Sequence, residues 1–579
     1  MCRAHVCVDT LYAHSFYCCD ACCCFSHELQ APHIILFTVD DMGWNDIGYQ
    51  STDLPGATPN MRAYAEKGVK LTHFYGQPTC TPSRVAIMTG KFPYKNGFQN
   101  LEVQLYNQYG VPLSNQLMSE HLQSLGYRTV MYGKWNIGHC NSKYLPNERG
   151  FDHFIGYMGA GHGYTDYQAD LNAGLRDLLE GSATIDATTG EVTYAWATGE
   201  KYLGTYDTEL YTTAAVAAVK KHAKSYRADP NSVPLFMWLA QHGIHGEFDA
   251  DPEPPSSLLT EENKAYLESL KKSMGNHEFY KKRYITASVL MSVDNSLKAV
   301  VDSLEDASML SNSIVFVHSD NGGSTNYVKG HPGNNFPMRS LKWSYFEGGI
   351  RVPAFVFAPG RMAESRQGTT YHGLMHHVDL LTTLYSMGGG DVGVLKATAK
   401  GVDLDGLDHW PALQGLSTSP RLELVLNLPR NQDWKIGHWN NTEQGVALRV
   451  GKYKLLINHV YDEWFEPSPN SLSSNMMAAQ CQYDVDTYST NNFCKYDNYL
   501  FDLTVDPTER DNLYYSDDDD VLKVKASMIA RAEELVAAQG QYGFTLRQAT
   551  SAPVEMASIK KKFEAHNYFA TPWGADVIP

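Results

Sequence analysis

His33-Ile34-Ile35-Leu36-Phe37-Thr38-Val39 is a short, nearly unbroken apolar run, and Asp40-Asp41 follow it at once. Seven residues are far short of the ~18 needed to cross a bilayer. The run therefore predicts a buried strand. Val130–Tyr132, Leu235–Leu239 and Ile314–His318 read the same way. Amphipathic stretches alternate with them, the pattern of an α/β domain built on a mainly parallel sheet. Pro59–Gly68 is predicted as a helix that Thr58 caps and Pro59 opens. Tyr284–Leu304, apolar at helical spacing, is predicted as a long helix packed on the sheet.

The strand ends carry the first chemical signal. Asp40-Asp41 and Asp320-Asn321 each follow a predicted buried strand, and open α/β sheets bind ligands at the carboxyl ends of their strands. An isolated Asp-Asp pair is more often a turn or cap. Two such oxygen-donor pairs, both at strand ends, point instead to a metal. Three carboxylates and an amide oxygen form a hard donor set that suits Ca²⁺, or Mg²⁺, and disfavours zinc.

The 579-residue chain exceeds the roughly 250–300 residues at which single cores stop growing. Three segments are expected. Residues 1–30 form a Cys-rich leader, 31–415 a catalytic α/β domain, and 416–579 a smaller α+β domain. In the last, Val446–Asn458 and Tyr499–Leu503 read as sheet strands, and Asp517–Asp520 open a helix from Val521 to about Ala538. The net charge is −17, from 47 basic and 64 acidic residues. Such a field repels nucleic acid and any polyanion, so an anionic substrate needs a local cationic pocket. No run is long enough for a transmembrane segment. Seven of the 11 cysteines precede residue 25, in a stretch that Asp9, His14 and Asp20 break up, unlike a clean signal peptide.

Cys80-Thr81-Pro82-Ser83-Arg84 is the other strong signal. Pro82 suits the first turn of a helix reaching about Met88, with Cys80 just before its amino terminus. There the helix dipole and Arg84 are expected to lower the thiol pKa. The alternative on these residues alone is a buried structural cysteine.

Cys80-x-Pro82-Ser83-Arg84-x4-Thr89-Gly90 resembles the signature of the sulfatase family, whose cysteine is oxidised to formylglycine. Gly126-Tyr127-x-Thr129-x3-Gly133-Lys134-Trp135 is similar to the family's second signature. Further matches run from about Ile34 to Asn512 and are closest in texture to arylsulfatase B, an N-acetylgalactosamine-4-sulfatase. They include Asp40–Asp46, Arg149–Asp152, Asp320–Gly323, Asn334–Pro337, Lys342–Ser344 and Glu347–Gly349.

The resemblance implies an alkaline-phosphatase-like fold and hydrolysis of a sulfated saccharide or aryl sulfate. It implies maturation by a formylglycine-generating enzyme. It also implies Ca²⁺ held by Asp40, Asp41, Asp320, Asn321 and the modified Cys80. Arg84 would stabilise the nucleophilic alkoxide, Lys134 and Lys342 would bind sulfate, and His245, with His242 as fallback, would protonate the leaving oxygen. The family's Gly-Lys-Trp-His ends here in Asn136, which holds a hydrogen bond but cannot act as a base. His139 is the candidate substitute, and slower turnover or a catalytically weak glycan-binding protein are the other outcomes. A phosphodiesterase or phosphonate hydrolase is the enzymatic alternative. Cys481 and Cys494 are spaced to close a disulfide, and Asn440-Asn441-Thr442 is a glycosylation sequon. Both suit secretion or an endomembrane or lysosomal lumen. Tyr157, Tyr164 and Tyr167 are candidates for stacking on sugar rings.

Overall fold

The computed structural model describes residues 30–99, 102–169, 174–186, 188–228, 233–246, 253–325, 332–398, 404–429, 445–468 and 496–539, with 564, 566, 571 and 572. The Cys-rich leader, the Cys481/Cys494 pair and the Asn440 sequon lie outside these residues. Ten strands form one sheet in the order Thr369–Tyr371, Val69–Leu71, Ala354–Phe357, Ser313–Ser319, His33–Val39, Leu235–Gln241, Arg128–Lys134, His153–Tyr157, Leu179–Ile185 and Val192–Thr198. The five strands from Ser313–Ser319 to His153–Tyr157 run parallel. Antiparallel pairings flank them on both sides.

The pleat explains why the strands read as continuous apolar runs. Ile34 and Leu36 enter one core with Phe236, Trp238 and Phe316, while Ile35, Phe37 and Val39 enter the opposite core with Met237, Leu239 and Val317. Helices Cys80–Thr89, Met118–Ser124 and Val378–Met387 supply Val85, Leu122 and Leu381 to the first core. Pro59–Lys67, Asp207–Ala228 and Glu278–Asp306 supply Met61, Tyr211 and Leu297 to the second. The sheet is sandwiched, as expected.

Two local expectations change. Thr58 occupies the N-cap position of Pro59–Lys67, but its hydroxyl accepts a hydrogen bond from Gly48 N (2.7 Å). The cap comes from a distance instead: buried Asp294 accepts from Asn60 N and Met61 N at 2.9 and 2.7 Å. Val446–Asn458 is a hairpin of Val446–Val450 and Tyr453–Val460. Gly451, at φ 55°, makes the reversal that a continuous apolar reading conceals.

That hairpin joins Glu423–Asn427 and Tyr496–Asp502 in a four-stranded antiparallel sheet. Helix Asp519–Ala538 packs on it, and Asp518 caps the helix through Asp520 N and Val521 N. The sheet's core includes Leu448, Leu455 and Leu500 but also Ala86, inside the Cys80–Thr89 helix, and Phe92 just beyond it. Buried Lys454 bridges Glu347 (2.9 Å) and Glu509 (2.7 Å), tying the small sheet to the Glu347-Gly348-Gly349 turn.

Candidate active site

Strand register gathers the site. Val39 lies level with Gln241 on one side and Ser319 on the other. Asp40, His242 and Asp320 therefore leave the sheet side by side at its carboxyl edge. Lys134 ends the next strand, which Gly133 lets approach closely: a Cβ there would stand 1.8 Å from the Ala240 carbonyl oxygen, and φ is 102°. Helix Cys80–Thr89, buried along all ten residues, brings Cys80 and Arg84 to the same edge.

Around Cys80 Sγ the contacts are specific. The thiol donates to Asp40 Oδ1 at 3.4 Å, and Lys342 Nζ lies 3.3 Å from Sγ. Lys342 also contacts Asp41 at 2.7 Å, and Lys134 donates to Asp40 Oδ2 at 2.6 Å. Arg84 donates through Nε and Nη2 to Asp320 Oδ2 (3.2 and 2.8 Å) and through Nη1 to the Lys134 carbonyl (2.7 Å). Asp320 Oδ1 accepts from Asp41 N and Asn321 N. Asn321 Nδ2 donates to Asp41 Oδ1 at 2.7 Å. One ligand-type atom from each of Asp40, Asp41, Cys80 and His245 lies within 4.8 Å of the others.

A hard cation fits this donor set. Asp40, Asp41, Asp320 and Asn321 are all buried, and the Asn321 side-chain oxygen, an amide acceptor, has no hydrogen-bond partner. An unpaired buried carbonyl oxygen costs about 1–3 kcal/mol, which coordination would relieve. Three carboxylates here face three cations, Arg84, Lys134 and Lys342. A divalent ion would make the pocket net positive, as capture of an anionic substrate by an acidic protein demands.

Burial opposes ionisation throughout, and the pairing decides each outcome. For Asp40, Lys134 and Arg84 outweigh burial and hold the carboxyl below its usual value. For Asp320, burial and the Asp40 charge prevail and raise it. Burial would strip Lys342 of its proton, but Asp41 and Cys80 keep it well above the usual lysine range. Cys80 corrects the sequence expectation. It is the first residue of the helix, behind Thr79, yet burial and then Asp40 push its thiol well up. The pocket does not favour a thiolate.

Asn136 and His139 divide. Asn136, left-handed at φ 57°, accepts from Thr81 Oγ1 (2.8 Å) and donates to Val103 O (2.9 Å). It buttresses the first turn of the Cys80 helix. Asn136→Ala leaves the Val103 carbonyl unpaired and is expected to cost about 1–3 kcal/mol in denaturant unfolding. His139 bonds through Nε2 to Leu105 O at 3.1 Å, and burial pulls its pKa down to about 4. It is not among the groups gathered at Cys80. His245 is, whereas fully buried His242 pairs with Asp207 Oδ2 at 2.8 Å.

The three tyrosines are not surface platforms. Tyr157, Tyr164 and Tyr167 are at most 1% exposed, and their hydroxyls point to Asp40 Oδ2, His245 O and Thr205 O. Tyr157 and Tyr164 brace the site from behind. Sequence reading missed Asp207, and it missed Glu102, whose carboxylate lies 3.1 Å from Thr81 Oγ1. Neither sits in a motif, so no sequence signal marked them.

The sulfatase family profile matches residues 32–390. The chain belongs to the sulfatase family and is a sulfuric ester hydrolase. Arylsulfatase J of Mus musculus is 31% identical over 494 residues, covering 83% of this chain and 72% of the relative. N-acetylgalactosamine-6-sulfatase of Homo sapiens is 29% identical over 442 residues, covering 73% and 76%. Among solved structures, Ps i-CgsB in complex with k-i-k-neocarrahexaose superposes with a TM-score of 0.62 at 24% identity, covering 90% of this chain and 98% of the other. PsFucS1 sulfatase from Pseudoalteromonas sp. gives 0.61 at 20% identity, covering 86% and 90%. The fold is alkaline-phosphatase-like. Among the described residues, no helix is long and apolar enough to cross a membrane.

Proposed function

We propose that this protein hydrolyses sulfate esters of saccharides, with residue 80 as formylglycine and Ca²⁺ held by Asp40, Asp41, Asp320 and Asn321. The observation that carries this reading is the convergence of Lys342 and Asp40 on Cys80 Sγ at 3.3 and 3.4 Å, beside an unpartnered Asn321 oxygen. When present, the hydrated aldehyde supplies a nucleophilic oxygen, and the cation lowers that oxygen's pKa and offsets charge on the sulfuryl group.

The chain's own residues do the rest. Arg84, fixed by Asp320, keeps an immobile positive charge one helical turn from residue 80. Lys134 and Lys342 offer ammonium donors to sulfuryl oxygens, which can displace the Asp40 and Asp41 contacts they now make. His245 donates a proton to the departing sugar oxygen. Its backbone carbonyl, bound by Tyr164 Oη at 2.9 Å, sets its position.

Names of relatives such as N-acetylgalactosamine-6-sulfatase support a sulfated sugar as the substrate class. The test is sulfate release from sulfated mono- and oligosaccharides, run beside phosphate monoesters, diesters and phosphonates. Release of sulfate from a sugar, with kcat/KM at least about a hundredfold above any phosphorus ester, is expected. Preference for a phosphodiester or phosphonate would overturn the reading.

A further inference from the structure

The reaction needs a group that accepts a proton from residue 80, and the residues around it narrow the choice. Asp40, Asp41 and Asp320 are bound to Lys134, Lys342 and Arg84. Lys134 and Lys342 direct their ammonium hydrogens to Asp40 and Asp41 and serve as donors. Asn136 has no basic atom. His139 bonds Leu105 O through Nε2 and is not among the groups gathered at Cys80.

Glu102 remains. Its carboxylate faces the same first helical turn as Cys80, with Oε1 and Oε2 both 3.4 Å from Thr81 N and Oε2 3.1 Å from Thr81 Oγ1. Val103 N, the next amide along, donates to Thr81 Oγ1 at 3.0 Å and pins the segment to the helix. The charged groups facing Glu102 are Lys342 and, more weakly, Lys134. Lys342 is the same ammonium that lies 3.3 Å from Sγ. The residue is half-buried, so it can exchange a proton with solvent.

We infer that Glu102 accepts the proton that residue 80 must lose for sulfate to depart. The inference rests on the formylglycine reading above. In that step an O–H on the residue-80 carbon gives its proton to the Glu102 carboxylate, and the freed electron pair forms the C=O bond. The carbon–oxygen bond to sulfate breaks, sulfate leaves as the dianion, and Glu102 passes the proton to water. No oxidant or further reactant is needed. Burial lifts the Glu102 pKa above the ordinary carboxyl value, against Lys342, which makes it a stronger base than a surface glutamate. The competing role is helix capping alone, since a carboxylate at a helix amino terminus is stabilising without any chemistry.

The test compares wild type, Glu102→Gln and Glu102→Asp, all matured with a formylglycine-generating enzyme. In Glu102→Gln, kcat is expected to fall by about 10²- to 10⁴-fold with KM little changed. A sulfated residue-80 adduct should accumulate in intact-protein mass spectra, and the acid limb of the kcat profile should vanish. That limb arises because turnover is lost as pH falls and Glu102 protonates. Glu102→Asp should retain that limb and clear the adduct, even with a lower melting temperature. Wild-type kcat and pH profile in Glu102→Gln, or a loss of kcat with neither adduct nor a changed profile, would overturn the inference and leave a capping role. Unmodified Cys80 in an active wild-type enzyme would instead defeat the formylglycine reading, a separate result.

Discussion

Cys80→Ser accepts one sulfuryl group and then stalls. Serine has a single hydroxyl, sufficient to attack sulfur but leaving no second O–H whose loss could re-form a carbonyl and expel sulfate. Turnover is expected to drop by at least about four orders of magnitude, the scale seen when a nucleophile is removed. One sulfuryl mass per chain should appear after incubation with substrate. Cys80→Ala should lose activity equally and gain no mass. Cys80 is 1% exposed on a wholly buried helix, and serine is nearly isosteric, so the fold should survive. Sustained turnover by the serine variant would contradict the account, because one hydroxyl would then be enough.

Asp320→Ala combines a chemical and a structural loss. Asp320 Oδ2 takes both Nε and Nη2 of Arg84, and both side chains are fully buried. Removing the carboxylate strands a guanidinium in the protein interior, a change that typically costs about 3–5 kcal/mol. The same change removes one proposed metal ligand. In wild type, Ca²⁺ at a hundred times its dissociation constant should stabilise the protein by about 2.7 kcal/mol, seen as a higher melting temperature. In Asp320→Ala that rise should vanish along with activity. Chelation of the wild type should abolish activity reversibly, with Ca²⁺ restoring it. A calcium-dependent melting shift that survives in the variant would remove Asp320 from the metal site.

Much of the architecture was legible because buried parallel strands declare themselves as apolar runs, and His33–Val39, Leu235–Gln241 and Ser313–Ser319 all did so. Their registry also explains why Asp40-Asp41 and Asp320-Asn321, about 280 positions apart, meet: Asp41 and Asn321 are hydrogen-bonded because Val39 and Ser319 are level. What escaped is what long-range packing decides. Thr58 looked like a cap, but Asp294 reaches the helix terminus first. Tyr157, Tyr164 and Tyr167 looked like surface aromatics, yet the end of strand His153–Tyr157 and the loop after it turn each into a buried hydrogen-bond donor. The helix amino terminus suggested a depressed thiol pKa at Cys80, but desolvation and Asp40 reverse the sign. Glu102 carried no signal, since its meaning depends on a loop folding back onto Thr81.

The most direct measurement is the mass of the peptide spanning residues 71–91, taken from protein expressed with a formylglycine-generating enzyme. The account predicts a loss of about 18 Da at Cys80, the change from thiol to aldehyde, in the same preparation that releases sulfate. An unmodified thiol in a preparation that hydrolyses sulfate esters would contradict it.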